Sequence, residues 1–486
     1  MAREALHAEL VVIGGGAAGM PAALEAIEKG VSPVILLDKR PVPGGNARMA
    51  GGYMFAADAY TQKEAGVEVH GVDVYRDQLA FHHSVGINPR QVKAYIDRTA
   101  DNLEWLRSKG IQYEYNPFMG NGLVGAGAPG SYAKVLDQLR GEFTQRGGIV
   151  LTNTPAQEIL IDDQCAVCGV RATTKDGSDL VNETKHVFLA TGGFMGNPAL
   201  MQKYFNDQYD ESAYVTDALK LTGDGIAMAE KAGALLSPRA TLCKESGFSF
   251  SHQANAPHRI AMYRCAVWVN RDGVRFCDES TAAEHTNANL LVSQPGMYGY
   301  SIMDANMLQD LIMHPTPQVN NEFLTPGDPK VRTQLETLAT KCPDQCLITD
   351  NIEEIARWIG AKPAVFQETI AAYNHFCADG QDREFFKPSD HMMPLEKAPY
   401  YVCKFSPLMV ETIGPVMVNH HFQVLRQADR APIPGLYAGG AVTSGWTGYD
   451  YELWGGNLSY GMSSGRIAAD YIAASCAKKR GVSNDV

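Results

Sequence analysis

The sequence predicts an α/β fold built on a doubly wound parallel sheet, and three observations carry that prediction. An apolar run, Leu10-Val-Val-Ile13, leads straight into Gly14-x-Gly16-x-x-Gly19. Residues 18–29 then read as an amphipathic helix with Ala22, Ala23 and Ile27 on one face. A second apolar run, Val34-Ile-Leu-Leu37, delivers Asp38 about 20 residues downstream, the separation at which a carboxylate meets a ribose hydroxyl. In such a turn the first glycine permits the tight bend, the second lets a pyrophosphate approach the backbone, and the third lets helix and strand pack closely. The helix N-terminus adds free N–H groups and a positive dipole end for the phosphates. A glycine triplet alone is weak evidence, but strand, helix and acid in this order predict a Rossmann-like dinucleotide site.

Further elements follow along the chain. Asn88-Pro-Arg-Gln starts a helix with an Asn cap and proline at its first position. Val92, Ile96, Ala100, Leu103 and Leu106 mark its buried face, and Gly110 stops it. Ile149-Val-Leu151 reads as another strand. Glu158–Asp162, Ala166–Thr174 and a run from Val181, separated by turn signals, predict a small antiparallel meander ending in His186-Val-Phe-Leu-Ala-Thr-Gly-Gly193. From 237 to 394 proline, asparagine and histidine rise, a long loop appears at Met313–Pro329, and the alternation of strand and helix stops. This stretch is expected to be an inserted α+β substrate or capping domain. It divides the nucleotide-binding domain into residues 1–236 and 395–486, where Gly435-Leu-Tyr-Ala-Gly-Gly440 gives a last strand and turn and 457–477 a last helix.

Bulk properties narrow the function. The chain has 486 residues, 45% apolar and 20% charged, as a globular protein with a sizeable core requires. A net charge of −12 argues against a nucleic-acid groove or an anionic membrane surface. No stretch approaches the roughly 18 consecutive apolar residues that a membrane helix needs. The first strand begins within about ten residues, which leaves no room for a signal peptide and points to the cytoplasm. Ten cysteines are scattered. Cys165-x-x-Cys168 falls on an alternating strand and Cys342-Pro-Asp-Gln-Cys346 in a polar loop, neither with a second pair at zinc spacing. His420-His421 is read as adjacent strand residues facing opposite ways, so no metal is expected.

Several motifs resemble the fumarate reductase/succinate dehydrogenase flavoprotein superfamily, which includes the 3-ketosteroid Δ1-dehydrogenases. They are Gly44-Gly-Asn-Ala-Arg-Met-Ala-Gly-Gly52, Ala190-Thr-Gly-Gly193, Leu221-Thr-Gly-Asp-Gly225, Val269-Asn-Arg-Asp-Gly-Val-Arg-Phe276, Pro434-Gly-Leu-Tyr-Ala-Gly-Gly440 and Gly455-Gly-Asn457. They run in order through nearly the whole chain. The resemblance implies a parallel sheet with an antiparallel meander (the GR2 type of FAD-binding domain) and FAD as cofactor. It places that cofactor against Gly14, Gly16, Ala17, Ala18, Gly19, Asp38, Lys39, Gly44, Gly45, Asn46, Ala47, Gly51, Gly52, Ala156, Ala190, Thr191, Gly192, Asp224, Gly439, Gly440, Asn457 and Leu458. Residues 43–55 contain no histidine, so the histidyl-FAD link of the respiratory members is absent there and the FAD is expected to be non-covalent. The last helix is expected to point its N-terminus at the flavin.

The family moves a hydride between flavin and a carbon beside an activated one, so the protein must stabilise charge on an oxygen and move a proton. Fumarate reductases carry Arg four residues after the Glu of their Asn-Glu segment; here Asp278-Glu279-Ser-Thr-Ala-Ala283 has alanine. They carry Arg before the terminal Gly-Gly-Asn, where this chain has Glu452-Leu-Trp454, and His where it has Glu411. The contacts to a dicarboxylate are missing together, and fumarate is not expected to be the substrate. Ketosteroid dehydrogenases instead hold a ketone oxygen with a Tyr and a Gly four residues later, and Tyr451 and Gly455 match them in register. The competing reading of Tyr451 is packing beside the flavin. Those enzymes have a Tyr base where Ala283 stands, so the proton-transfer group stays open among Glu284, His285 and Glu411, with Tyr298 and Tyr300 as packing aromatics or further candidates. The expected reaction is desaturation of a cyclic ketone, of cyclohexanone or 3-ketosteroid type. The alternative is reduction of an unsaturated carboxylate gripped by Arg264 or Lys244. A third reading, a flavin-binding redox partner without turnover, leaves the cap unexplained. No Cys-x-x-Cys-His haem motif is present, so electrons are expected to pass to a separate carrier, a quinone or oxygen.

Overall fold

The computed structural model describes residues 4–116, 123–124, 131–205, 221–247, 260, 262–280, 284–315, 326–451 and 456–479. They part into two compact units, one formed by Met1–Asn206, Ala218–Cys243 and Glu411–Val486, the other with Lys244–Val410 as its body.

Three apolar runs make the heart of the first unit. Leu10–Ile13, Val34–Leu37 and Val187–Leu189 are buried along their whole length, as central parallel strands covered on both faces must be. The sheet order is Gln423–Leu425, Pro432–Ala438, Val187–Leu189, Leu10–Ile13, Val34–Leu37, Ile149–Leu151, parallel except for the antiparallel edge strand Gln423–Leu425. Val187–Leu189 therefore belongs to this sheet and does not end the meander as expected, because its side chains face cover on both sides. The meander itself consists of Ala156–Ile161, Val167–Thr173 and Asp179–Glu183, and Glu4–His7 adds a parallel edge to it.

Helix Gly19–Glu28 lies against helix Gly456–Lys479. Small residues permit the approach: a β-carbon on Gly465 would sit 2.2 Å from the Ala18 carbonyl oxygen. Beside this contact Glu25 is buried and accepts from Arg466 Nε at 2.9 Å, while Arg466 Nη1 donates to Asn102 Oδ1 at 2.9 Å. Asn102 lies on helix Pro89–Ser108, whose Asn88 cap accepts from Arg90 and Gln91 as its sequence predicts. One buried ion pair thus joins three helices.

The second unit is built on an antiparallel sheet in which Gly299–Met303 lies between Val267–Val269 and Tyr400–Ile413, with Cys346–Thr349 also paired to Tyr400–Ile413. That pairing draws residues beyond 394 into this unit, so the boundary falls at Val410. Cys346 opens a strand and Cys342 is buried too, against the polar loop expected there, because both sulfurs face the unit's core. Cys168 does lie on a strand, but Cys165 precedes it in a turn with φ +59°. Arg275 and Lys387, fully buried, are neutralised by Glu279 at 3.0 and 3.2 Å, and Arg275 also meets Asp382 at 2.9 Å. Among the described residues no helix is long and apolar enough to cross a membrane.

Breaking a buried ion pair leaves an uncompensated charge, at a cost of about 3–5 kcal/mol. Arg466→Leu is accordingly expected to lower unfolding stability by that amount, read as a drop in the urea midpoint, whereas Arg76→Leu on the surface leaves it within about 0.5 kcal/mol.

Candidate cofactor and active site

The chain leaves Leu10–Ile13 for Val34–Leu37 on one side, while Val187–Leu189 flanks it on the other, so the strand order reverses there. Such a switch point opens a crevice at the carboxyl ends of the strands. The glycine turn fills its mouth. Gly14 has φ +97°, and a β-carbon on Gly19 would lie 1.8 Å from the Gly14 carbonyl oxygen. Gly16 differs: its nearest neighbour would be the Gly44 carbonyl oxygen at 3.5 Å, which leaves the backbone approachable. Ala17 and Ala18 carry the turn onto the last helix, where Gly461 would meet the Ala17 β-carbon at 3.0 Å.

Asp38 closes the turn. Its Oδ2 accepts from the Gly15 N–H at 3.0 Å and its Oδ1 from the Arg40 N–H at 2.9 Å. Each oxygen keeps a second lone pair, which is what a ribose hydroxyl needs. Next to it Lys39 Nζ donates to Thr222 Oγ1 and Asp224 Oδ2, both at 2.7 Å. Burial pushes the Asp224 carboxyl up, but the Lys39 and Thr222 bonds outweigh it and hold it below its ordinary value. The Thr154 N–H donates to the Asp38 carbonyl at 3.0 Å, which brings Ala156, the first residue of its strand, to the same rim. Ala190, Thr191 and Gly192 follow Val187–Leu189, and the buried Thr191 Oγ1 has no hydrogen-bond partner among the described residues. That hydroxyl lies against Gly225, where a β-carbon would come within 2.0 Å of it, and an orphaned hydroxyl at this rim fits a polar cofactor.

A second set of glycines lies further along the crevice. Gly44 and Gly45, both at positive φ, lead into the 3-10 turn Gly45–Arg48 that contains Asn46 and Ala47. Gly51 and Gly52 bring the chain to Met54–Phe55. Gly439 and Gly440 end the strand Pro432–Ala438, the Gly440 N–H donating to Ser464 Oγ at 3.0 Å. Asn457 and Leu458 form the first turn of the last helix.

Glu411 stands among these glycine segments. Its Oε2 accepts from Asn46 Nδ2 at 3.0 Å, its Oε1 from the Thr412 N–H at 3.0 Å, and the Gly193 N–H also bonds it. Burial wins over these three donors and pushes the carboxyl up to about 7. Gly193 is a residue of the candidate site that sequence reasoning missed. A β-carbon there would lie 2.4 Å from Glu411 Oε1 and 2.2 Å from Thr412 Oγ1, and the doubled glycine after Thr191 was the available signal.

Tyr451 is buried, and its hydroxyl accepts from the backbone N–H of Asn457 at 3.1 Å. Trp446 meets its ring edge-on at 6.0 Å and stacks on Tyr460 at 4.4 Å. The Tyr460 hydroxyl bonds Gln91 Nε2 and Thr443 Oγ1, both at 2.7 Å, so the loop that carries Tyr451 is anchored to helix Pro89–Ser108. Glu452, Leu453, Trp454 and Gly455 lie outside the described residues, as does Ala283. Glu284 and His285 open helix Glu284–Val292 of the second unit, their side chains being outside the description, as is that of Lys244. Tyr300 packs edge-on against Tyr298 and Trp358 at 5.7 and 5.5 Å, as a packing aromatic does. His420 and His421 sit on a turn and not a strand, with ring centroids 3.9 Å apart; the turn lets neighbours lie on one side.

Comparison with known proteins agrees with this geometry. A family model described as an FAD binding domain matches residues 9–458. A vinyl phenol reductase of Lactiplantibacillus plantarum is 29% identical, over 95% of this chain and 96% of its own. The open conformation of a flavocytochrome c3 fumarate reductase superposes with a TM-score of 0.73 at 26% identity, covering 96% of this chain and 78% of the other. A 3-ketosteroid Δ1-dehydrogenase of Sterolibacterium denitrificans shares the fold, with a TM-score of 0.75 at 19% identity over 96% and 100%.

Asp38→Ala unties the Gly15 N–H from its charged acceptor. A hydrogen bond to a charged group contributes about 1.5–3 kcal/mol, so cofactor affinity is expected to fall by roughly tenfold to a hundredfold, measured by fluorescence titration of the apoprotein with FAD.

Proposed function

The chain belongs to the FAD binding domain family, and on that premise we propose that it acts on a carbon–carbon bond conjugated to a neutral oxygen, a ketone or a phenol. It is an FAD-dependent oxidoreductase of the CH–CH class. The bound flavin supplies hydride acceptance or donation; the protein's part is to place the oxygen and hold a proton.

The observation that carries the proposal is the Tyr451 hydroxyl, which accepts from the Asn457 N–H at the start of the last helix. A hydroxyl that accepts from a helix N-terminus is polarised to donate in turn, because the bonds strengthen each other and the dipole favours negative charge beyond. Such a donor suits a neutral oxygen that gains charge as the reaction proceeds. A permanent carboxylate would instead call for a guanidinium fork. Glu411 is the proton-holding group in this reading, since its carboxyl exchanges near neutral pH. The vinyl phenol relative, matched along almost its whole length, acts by its name on a neutral aryl alkene. Cyclic ketones carry the same neutral oxygen and stay within the proposed class.

A second reading has its own observation. In the other unit Arg264 Nε is buried without a hydrogen-bond partner among the described residues, as a cation reserved for a carboxylate would be. Anaerobic flavin titrations separate the two. Reduced enzyme is expected to be reoxidised by 4-vinylphenol or cyclohexenone, and oxidised enzyme bleached by cyclohexanone, with Tyr451→Phe slowing each by about a hundredfold or more. Reoxidation by an aryl-acrylate alone, untouched in Tyr451→Phe and lost in Arg264→Met, would replace the proposal with the carboxylate reading. Because burial raises Glu411, its acid form prevails below about 7 and is lost as pH rises through that value. Alkene reduction is therefore expected to decline across that interval, and Glu411→Gln to abolish the decline along with most of the rate.

A further inference from the structure

At the end of the sheet opposite the glycine turn, three side chains from distant parts of the chain converge. Glu9 directly precedes Leu10–Ile13, His186 directly precedes the neighbouring strand Val187–Leu189, and Cys476 lies near the C-terminal end of helix Gly456–Lys479. Cys476 Sγ is 3.9 Å from His186 Nδ1 and 3.8 Å from Glu9 Oε2, and the ligand atoms of all three lie within 4.8 Å of one another. His186 and Cys476 are buried and Glu9 is half-buried. The Glu9 backbone carbonyl adds a fourth donor atom, 3.1 Å from His186 Nδ1.

We propose that Glu9, His186 and Cys476 bind a divalent cation of the zinc class. Tetrahedral zinc bonds of about 2.3 Å to sulfur and 2.0–2.1 Å to nitrogen or oxygen set sulfur about 3.6 Å from its fellow ligands. The observed 3.8 and 3.9 Å to sulfur need to close by a few tenths of an ångström, and the Glu9 and His186 ligand atoms, within 4.8 Å of each other, draw in toward about 3.4 Å by side-chain rotation. Carboxylate, imidazole and thiol together form a mixed donor set that suits zinc or cobalt and excludes calcium and magnesium, which take oxygen alone. The negative dipole end of the last helix favours a cation at the same place. On binding, the Cys476 thiol proton is released, the imidazole proton moves from Nδ1 to Nε2, and no electrons are transferred. The ion would pin the last helix, whose other end presents Asn457 to Tyr451, to the starts of two central strands. The site is independent of the substrate proposed above.

Cobalt(II) titrated into the purified holoenzyme reads this directly. One ion per chain is expected, with the ligand-field bands of tetrahedral cobalt and a sulfur-to-cobalt charge-transfer band. Cys476→Ala should remove the charge-transfer band. His186→Asn should weaken binding by more than the roughly tenfold to hundredfold that loss of an outer partner costs. Zinc should raise the thermal midpoint of the parent protein and not of Cys476→Ala. Cys165 and Cys168 are the exposed thiols, so the doubly substituted C165A/C168A protein must keep the bands. No charge-transfer band, or one that survives in Cys476→Ala and vanishes in C165A/C168A, would overturn the site.

Discussion

Everything in the nucleotide-binding unit depends on one close approach, the backbone of Gly19 against the carbonyl of Gly14. No β-carbon fits there, since it would lie 1.8 Å from the oxygen. The contact starts the first helix directly over the first central strand. It also turns Gly16 outward and leaves Ala17 and Ala18 as a smooth surface for Gly461 and Gly465 of the last helix. The first turn of that helix in turn donates its Asn457 N–H to the Tyr451 hydroxyl. A single backbone distance thus sets the glycine turn, the helix pairing and the place of Tyr451 together.

The chemistry of the candidate site is one of neutral donors held by charged scaffolding. Lys39 with Asp224 and Glu25 with Arg466 keep their charges paired. Tyr451 and Glu411, by contrast, are bonded mainly to backbone or amide N–H groups. Such donors tune a hydroxyl or carboxyl without adding net charge, so the field at a reacting oxygen comes from oriented dipoles that need no rearrangement. Where the resemblance places arginines for a dicarboxylate, this chain has Ala283 and Glu452-Leu-Trp454, and it has Glu411 where the resemblance places a histidine.

What could be read from the sequence was what short range decides. Leu10–Ile13, the glycine turn and Asp38 follow from local pattern and spacing, as does the Asn88 cap. For Val187–Leu189 the pattern marks a strand and not its sheet, because periodicity shows that a run is buried and not which neighbours bury it. The partners of Glu411 were hidden for a related reason: Asn46 lies hundreds of residues away in the chain, and Gly193 acts through its N–H, which has no side-chain signature. The tie of Lys39 to Thr222 and Asp224 is also long-range, although the family resemblance places both Lys39 and Asp224 at the cofactor.

The pairing of the first helix with the last carries a consequence for synthesis. Gly19–Glu28 emerges from the ribosome early, yet the surface that buries Glu25 and backs the glycine turn belongs to Gly456–Lys479. Until that segment has been made, the nascent chain holds an apolar helix and an acidic side chain without their cover. The first helix therefore gains its cover only once the last helix has been translated, so the two ends of the chain close this unit together.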